Sequence, residues 1–282
     1  MKRKIPLQKI KETVKRLCIE ANTVLRRDVL AGLNKALESE KKGTLSKNML
    51  SVLIDNARIA EDKKIGICQD TGIVAVFLQI GMGVELYGED LNRAVDEGIR
   101  EAYDEGCFRK SVVKDPLLRD NTGGNIPGIK HIEFVPGDKI FIAIMPKGFG
   151  SENKGRIKMF NPTAKSSEII DFCVDTVRKA GADACPPYIL GIGIGGTMEK
   201  CAFLAKKALL RPIDESSGKG HLRKMEEEIK NKCNELNIGV MGLGGRVTCI
   251  GVNIEDFATH IAGLPVAVNV SCHALRSASA VI

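Results

Sequence analysis

The sequence predicts an α/β protein, with a helical N-terminal region followed by mixed β-sheets flanked by helices. Apolar residues recur at helical spacing from about Leu7 to Asp62, a strand-length apolar run begins at Ile73, and helical and strand-like segments then alternate through the rest of the chain. At 282 residues the chain is long enough to bury a full core. No internal repeat or low-complexity linker divides it, so a single unit spanning 1–282 is expected, helical to about residue 62 and α/β from about 63 onward.

In the first segment Ile10, Val14, Leu17 and Cys18 share a helix face, and Leu45 to Ala60 repeats the pattern after Lys42-Gly43-Thr44. Ile73 to Ile80 is nearly continuous in apolar residues and has strand length. Leu91 to Glu105 returns to helical spacing, and Ser111 to Gly128 is a polar loop containing Asp115-Pro116 and Asn121-Thr122-Gly123-Gly124-Asn125. Two β-like runs follow, His131 to Val135 and Lys139 to Met145, on either side of the turn Pro136-Gly137-Asp138. Ser166 to Ala180 reads as helix, Tyr188 to Ile194 as strand, and Met198 to Leu210 and Gly220 to Asn237 as helices. Val247 to Ile254 and Pro265 to Val270 read as strands. The last residues, Ala278 to Ile282, are small and apolar and would be poorly placed facing water, which points to a partner chain.

The net charge of +7 is spread in mixed runs such as Arg223-Lys224-Met225-Glu226-Glu227-Glu228, the pattern of a solvated helix face. With no Trp, 4% aromatic residues and no basic-aromatic module, nucleic-acid binding is not expected. No stretch of about 18 apolar residues occurs, and no apolar run of signal-peptide length follows the basic start. The expectation is a cytoplasmic protein without membrane contact. Nine cysteines, an odd number with no export signal, argue against a disulfide framework. Cys18, Cys173, Cys201 and Cys233 fall in helical patterns and Cys249 in a strand-like run, all expected in the core. Cys107 follows Gly106 near a polar loop and fits the core reading least well.

The remaining three cysteines sit in turn-like or strand-end stretches: Gly66-Ile67-Cys68-Gln69-Asp70-Thr71-Gly72, Ala184-Cys185-Pro186-Pro187 and Val270-Ser271-Cys272-His273-Ala274. Three thiolates that meet could hold an iron–sulfur cluster with one open, Lewis-acidic iron. No Cys-x-x-Cys pair announces such a site, so the fold has to assemble it. Asp70, two residues after Cys68, is either a site carboxyl or a turn former. Arg109, Arg119, Lys147 and Arg276 are candidate carboxylate clamps or, singly, surface charges. His260 and His273 are candidate site or structural histidines. Gly191-Ile192-Gly193-Ile194-Gly195-Gly196 satisfies the dinucleotide fingerprint on paper, but no acidic residue ends a second strand about twenty residues on. Tight backbone packing and an anion-binding helix start are its other readings.

Several of these stretches, taken in order, carry a resemblance: Cys68-Gln69-Asp70-Thr71-Gly72, Arg109-Lys110-Ser111, Arg119-Asp120-Asn121-Thr122-Gly123 and Gly148-Phe149-Gly150-Ser151-Glu152-Asn153-Lys154. Ala184 to Pro187 with the glycine run behind it, Thr259-His260 and Cys272-His273-Ala274 complete the set. Together they resemble the iron–sulfur hydro-lyase family of class I fumarate hydratases and L-tartrate dehydratases, specifically the alpha subunit of the two-subunit forms. The resemblance implies that Cys68, Cys185 and Cys272 hold a 4Fe–4S cluster whose fourth iron lacks a protein ligand. It also implies that Asp70 is the general acid in dehydration, and that Gln69, Arg109, Gly148, Gly150, Ser151 and His260 meet the carboxylates of a small dicarboxylate. A separate beta subunit would supply the catalytic base, in a dimer of alpha–beta pairs. The expected reaction is reversible hydration of fumarate to (S)-malate, a step of the tricarboxylic acid cycle, with L-tartrate dehydration to oxaloacetate as the alternative. A nucleotide-binding or structural protein built on Gly191 to Gly196 is the competing reading of another class.

Overall fold

The computed structural model describes residues 2–282 and is mixed α/β, with long helices first and then mixed sheets flanked by helices. The first half of the chain runs β1 (Arg3–Pro6), α1 (Leu7–Thr23), α2 (Arg27–Ser39), α3 (Leu45–Lys63), β2 (Ile73–Gly81), β3 (Val84–Tyr87), α4 (Leu91–Glu105), β4 (Ile129–Val135) and β5 (Ile140–Lys147). The second half runs α5 (Phe149–Glu152), β6 (Arg156–Phe160), α6 (Ser166–Ala180), β7 (Tyr188–Gly195), α7 (Met198–Ala208), α8 (Gly220–Glu235), β8 (Cys249–Phe257), β9 (Leu264–Ser271) and β10 (Ala278–Val281). These residues form two compact units, both discontinuous in sequence. One takes the chain up to Arg26, Ala57–Phe149 and Arg276–Ile282; the other takes Arg27–Asn56 and Gly150–Leu275.

The first unit is organised around β2. Its apolar run is buried along almost its whole length, as expected of a central strand covered on both faces. The sheet order is β10-β5-β2-β4, with β2 parallel to β4 and antiparallel to β5. Thus β4 and β5, although joined by a short turn, do not pair with each other. The turn passes over the end of β2, where Gly81 N–H donates to Lys139 O at 2.9 Å, Met82 N–H to Val135 O at 2.8 Å and Gly83 N–H to Gly137 O at 2.7 Å. α1 buries Ile10, Val14, Leu17, Cys18 and Ala21 on one face and packs against α4 and β5. α4 begins where Asp90 Oδ1 accepts the Arg93 N–H at 3.0 Å, an N-cap. The apolar C-terminal residues are strand β10, antiparallel to β5, with Ala278 buried and Ala280 and Ile282 packed on the core. Ala278, Ala280 and Ile282 are thus covered by the chain's own sheet, while Val281 is exposed.

In the second unit the order is β6-β9-β7-β8, with β7 parallel to β8 and β9 antiparallel to both β7 and β6. α6 and α8 pack together and their apolar faces join the sheet's buried residues in one core. α6 starts where Lys165 N–H donates to the Glu168 carboxylate at 2.8 Å. The glycine fingerprint lies largely inside β7, with Gly191 and Gly193 beneath α7. A Cβ at those positions would stand 2.1 Å from Ala205 O and 2.0 Å from Cys201 O. The tight-packing reading of these two glycines is the one the fold uses.

Candidate active site

All nine cysteines are without disulfides, and exposure sorts them. Cys18, Cys173, Cys201, Cys233 and Cys249 are buried, as expected of core residues, and Cys107 is exposed. Cys68, Cys185 and Cys272 alone are half-buried. Burial pushes the Cys173 thiol up to about 12 and raises the Cys18 thiol as well, keeping both neutral and inert.

In the first unit the chain turns sharply between α3 and β2, and side chains from distant segments hold the turn. Ile67 N–H donates to Asn22 O at 2.9 Å. The Thr71 hydroxyl donates to Arg109 O at 2.7 Å, and the Tyr103 hydroxyl to Thr71 O at 2.6 Å. Asn125, fully buried with φ 56°, donates through Nδ2 to Gly72 O at 3.1 Å and accepts Ser111 N–H at 2.7 Å. Cys68, Gln69 and Asp70 ride on this framework.

Asp70 is aimed by two backbone donors: Oδ1 accepts Gly72 N–H at 3.0 Å and Oδ2 accepts Phe149 N–H at 2.8 Å. Each oxygen keeps a further lone pair for a proton or ligand. The close approach favours glycine at 148, because a Cβ there would lie 2.9 Å from Asp70 Oδ2 and the carboxyl or the loop would have to shift. The unit therefore brings together Cys68, Gln69, Asp70, Gly148 and the backbone of Arg109, whose side chain is on the surface. Arg276 and Lys147 are not surface charges: both are 2% exposed, and Arg276 Nη2 donates to Asp70 O at 2.6 Å.

In the second unit Cys185 precedes β7 and Cys272 follows β9. These strands are antiparallel neighbours with Ile189 opposite Ser271, so both cysteines leave the sheet at the same end. His273 closes the corner. Its N–H donates to Cys185 O at 3.3 Å, and its Nδ1 lies 3.1 Å from the same oxygen, a contact that needs the proton on Nδ1 because a carbonyl only accepts. Cys185 itself has φ 56°. Tyr188 lies beneath, donating to Gly181 O at 2.6 Å, and its phenol is raised mainly by burial, with smaller contributions from neighbours that include Cys185 and Cys272. Gly150 is exposed and Ser151 buried in α5, where Ser151 O accepts Lys154 N–H at 3.1 Å.

His260 is placed elsewhere. It is exposed in the turn between β8 and β9, and its Nδ1 accepts Ala262 N–H at 3.1 Å. Ile194 pairs with Val266, so this turn lies at the end of the sheet opposite the Cys185–Cys272 corner. A strand length, roughly 20 Å at about 3.3 Å per residue, separates them. The second unit does not gather His260 with its two site cysteines.

Among the described residues no three His, Cys, Asp or Glu side chains form the ligand set of a single ion. An iron–sulfur core makes no such demand, since it spreads its thiolates over separate irons. Cys68 in the first unit and Cys185 and Cys272 in the second are each half-buried thiols outside any disulfide, the donor chemistry that such a core takes. His273 takes the structural reading offered for it, whereas the sequence did not point to Asn22, Tyr103 and Asn125 as supports. Asn125 had a local signal, a loop asparagine behind two glycines, whereas Tyr103 looked like any core aromatic.

Residues 11–281 match the family described as fumarate hydratase (Fumerase). A Methanocaldococcus jannaschii protein named "Putative L(+)-tartrate dehydratase subunit alpha" is 40% identical over 279 residues, covering 96% of each chain. The L(+)-tartrate dehydratase subunit alpha of Escherichia coli K12 is 29% identical over 273 residues, covering 96% of this chain and 89% of that one. The Shigella boydii protein of the same name has the same identity and coverage. No helix among the described residues is long and apolar enough to cross a membrane. The chain belongs to the class I fumarate hydratase family of iron–sulfur hydro-lyases, and within it aligns along nearly its whole length with alpha-subunit chains.

Proposed function

We propose that residues 1–282 act as the cluster-bearing alpha subunit of a 4Fe–4S hydro-lyase that dehydrates a small hydroxydicarboxylate, with L-tartrate, giving oxaloacetate, as the leading substrate. The observation that carries the reading is the sorting of the cysteines: of nine, the three that are half-buried are the three in the family's motifs. Cys68, Cys185 and Cys272 would hold the cluster, which when bound supplies a Lewis-acidic iron for the departing hydroxyl. Asp70, oriented by Gly72 and Phe149, gives the proton that lets that hydroxyl leave as water. Gln69 and Arg109, together with the Gly148, Gly150 and Ser151 loop, would hold the substrate carboxylates. His260 reaches a carboxylate only if another part of the assembly brings one to its end of the sheet. The base that takes the carbon-bound proton comes from a beta subunit, and the working particle is a dimer of alpha–beta pairs in the cytoplasm.

The expectation of fumarate rests on a central metabolic role being the commoner use of the family, and the names of the relatives support tartrate better. The motifs encode the metal and the acid, which the two reactions share, so they leave the choice open. Fumarate hydration stays as the second reading because the family description names it. Anaerobic assay of the chain co-purified with its beta subunit on L-tartrate, fumarate and (S)-malate separates the two. Turnover of fumarate with none of tartrate overturns the leading substrate.

A further inference from the structure

We propose that Arg276 is a positioning residue for the Cys68–Asp70 turn and the fixed positive charge that balances the iron–sulfur core carried by Cys68. The inference rests on the hydro-lyase reading above. Arg276 is 2% exposed and makes no ion pair among the described residues. Its Nη2 donates to Asp70 O at 2.6 Å, its Nη1 approaches Asn22 Oδ1 only at 3.5 Å, and its Nε is buried with no acceptor. The two oxygens it meets are both neutral. The Asp70 carboxyl is turned to the N–H groups of Gly72 and Phe149.

A guanidinium stays charged in any protein environment. Buried without an anion, it is among the least favourable groups a core can contain, and hydrogen bonds to neutral oxygens compensate only part of that. The residues beside it supply a reason to keep it. Asn22 O takes the N–H of Ile67, immediately before Cys68, while Arg276 takes the carbonyl of Asp70, two residues after it. Arg276 thus grips the downstream side of the turn that presents Cys68. Three thiolates on an iron–sulfur core bring the net negative charge that this corner of the first unit lacks, and the guanidinium favours it electrostatically.

The test uses the full chain, reconstituted anaerobically with ferrous iron and sulfide, as wild type, Arg276→Gln and Arg276→Lys. Reduction potential is followed by electron paramagnetic resonance, and iron loss by transfer to a chelator. The expected result is a lower potential and faster iron loss for Arg276→Gln, with Arg276→Lys close to the wild-type potential because it keeps the charge. An Arg276→Gln chain with wild-type potential and iron loss overturns the proposal. Should that variant not fold, a fall in potential in Arg276→Lys overturns the charge role. A wild-type chain that takes up no iron instead overturns the hydro-lyase reading and the present one with it.

Discussion

The Cys68–Asp70 turn of the first unit and the Cys185–Cys272 corner of the second present the same kind of side chain by different means. The turn hangs on single hydrogen bonds from Asn22, Tyr103, Arg109, Asn125 and Arg276, which come from widely separated parts of the sequence. The corner inherits its geometry from the register of β7 against β9 and adds one histidine. A strand ladder distributes positional control over many equivalent bonds, whereas the turn concentrates it in a few, most of them with a buried partner. The acid-bearing turn is therefore the more easily detuned from a distance.

The largest expected effect tests whether the cysteines are sorted correctly. Cys185→Ser should abolish iron and sulfide uptake on anaerobic reconstitution, while Cys173→Ser, in the core, should leave it at the wild-type ratio. Equal behaviour would erase the distinction between half-buried and buried thiols. Next, Gly148→Ala places a methyl group 2.9 Å from Asp70 Oδ2 and must push the loop or the carboxyl aside. A loss of about 100-fold in kcat is expected from misplacement on this scale, with iron content unchanged; an unaltered kcat would show that Asp70 needs no such aim. Tyr103→Phe removes the donor to Thr71 O from a buried site and should destabilise the chain by about 1–2 kcal/mol in denaturant titrations. It should also lower activity, since the lost bond holds the acid's own turn.

The smallest effect belongs to the second unit's flank. Lys179 and Arg156 hold the Asp175 carboxyl down at about 2, below its ordinary value of about 3.9. A lowered folded-state value means the stabilisation is present above about pH 4 and is lost as the pH falls toward about 2. In thermal melts Asp175→Asn should therefore differ from wild type at neutral pH, and the difference should shrink across that window. A difference independent of pH would point to packing instead of charge.

The sequence made local features legible and long-range ones much less so. α4 and α6 begin and end where periodicity and flanking residues predicted, because their signals lie within the helices and first turns themselves. β1, β3 and β10 were missed as strands: each is four residues long, and each exists because a neighbouring strand offers its edge. β6 was missed for a similar reason, since it lies at the sheet edge with Ile157, Lys158 and Met159 all exposed. In the candidate site, Cys68 and Asp70 are legible as candidates because they stand in one contiguous motif. The roles of Tyr103 and Arg276 are not legible, because their contribution is a bond to a carbonyl far away in sequence. His260 shows how sequence proximity can mislead about spatial proximity. It stands near Cys272 in sequence, yet the intervening residues are strand β9, and a strand carries its two ends apart.

The bond from Arg276 to the Asp70 carbonyl spans 206 positions. A ribosome makes Cys68 and Asp70 early, then all of Gly150–Leu275, and only afterwards Arg276 and β10. Contacts this distant form late, because the chain between them must first be made and its ends brought together. The second unit can therefore be complete while the first still lacks an edge strand and the grip on its acid-bearing turn. Newly made chains therefore pass through an interval in which Cys68 is already synthesised but the turn that carries it is not yet fixed in place.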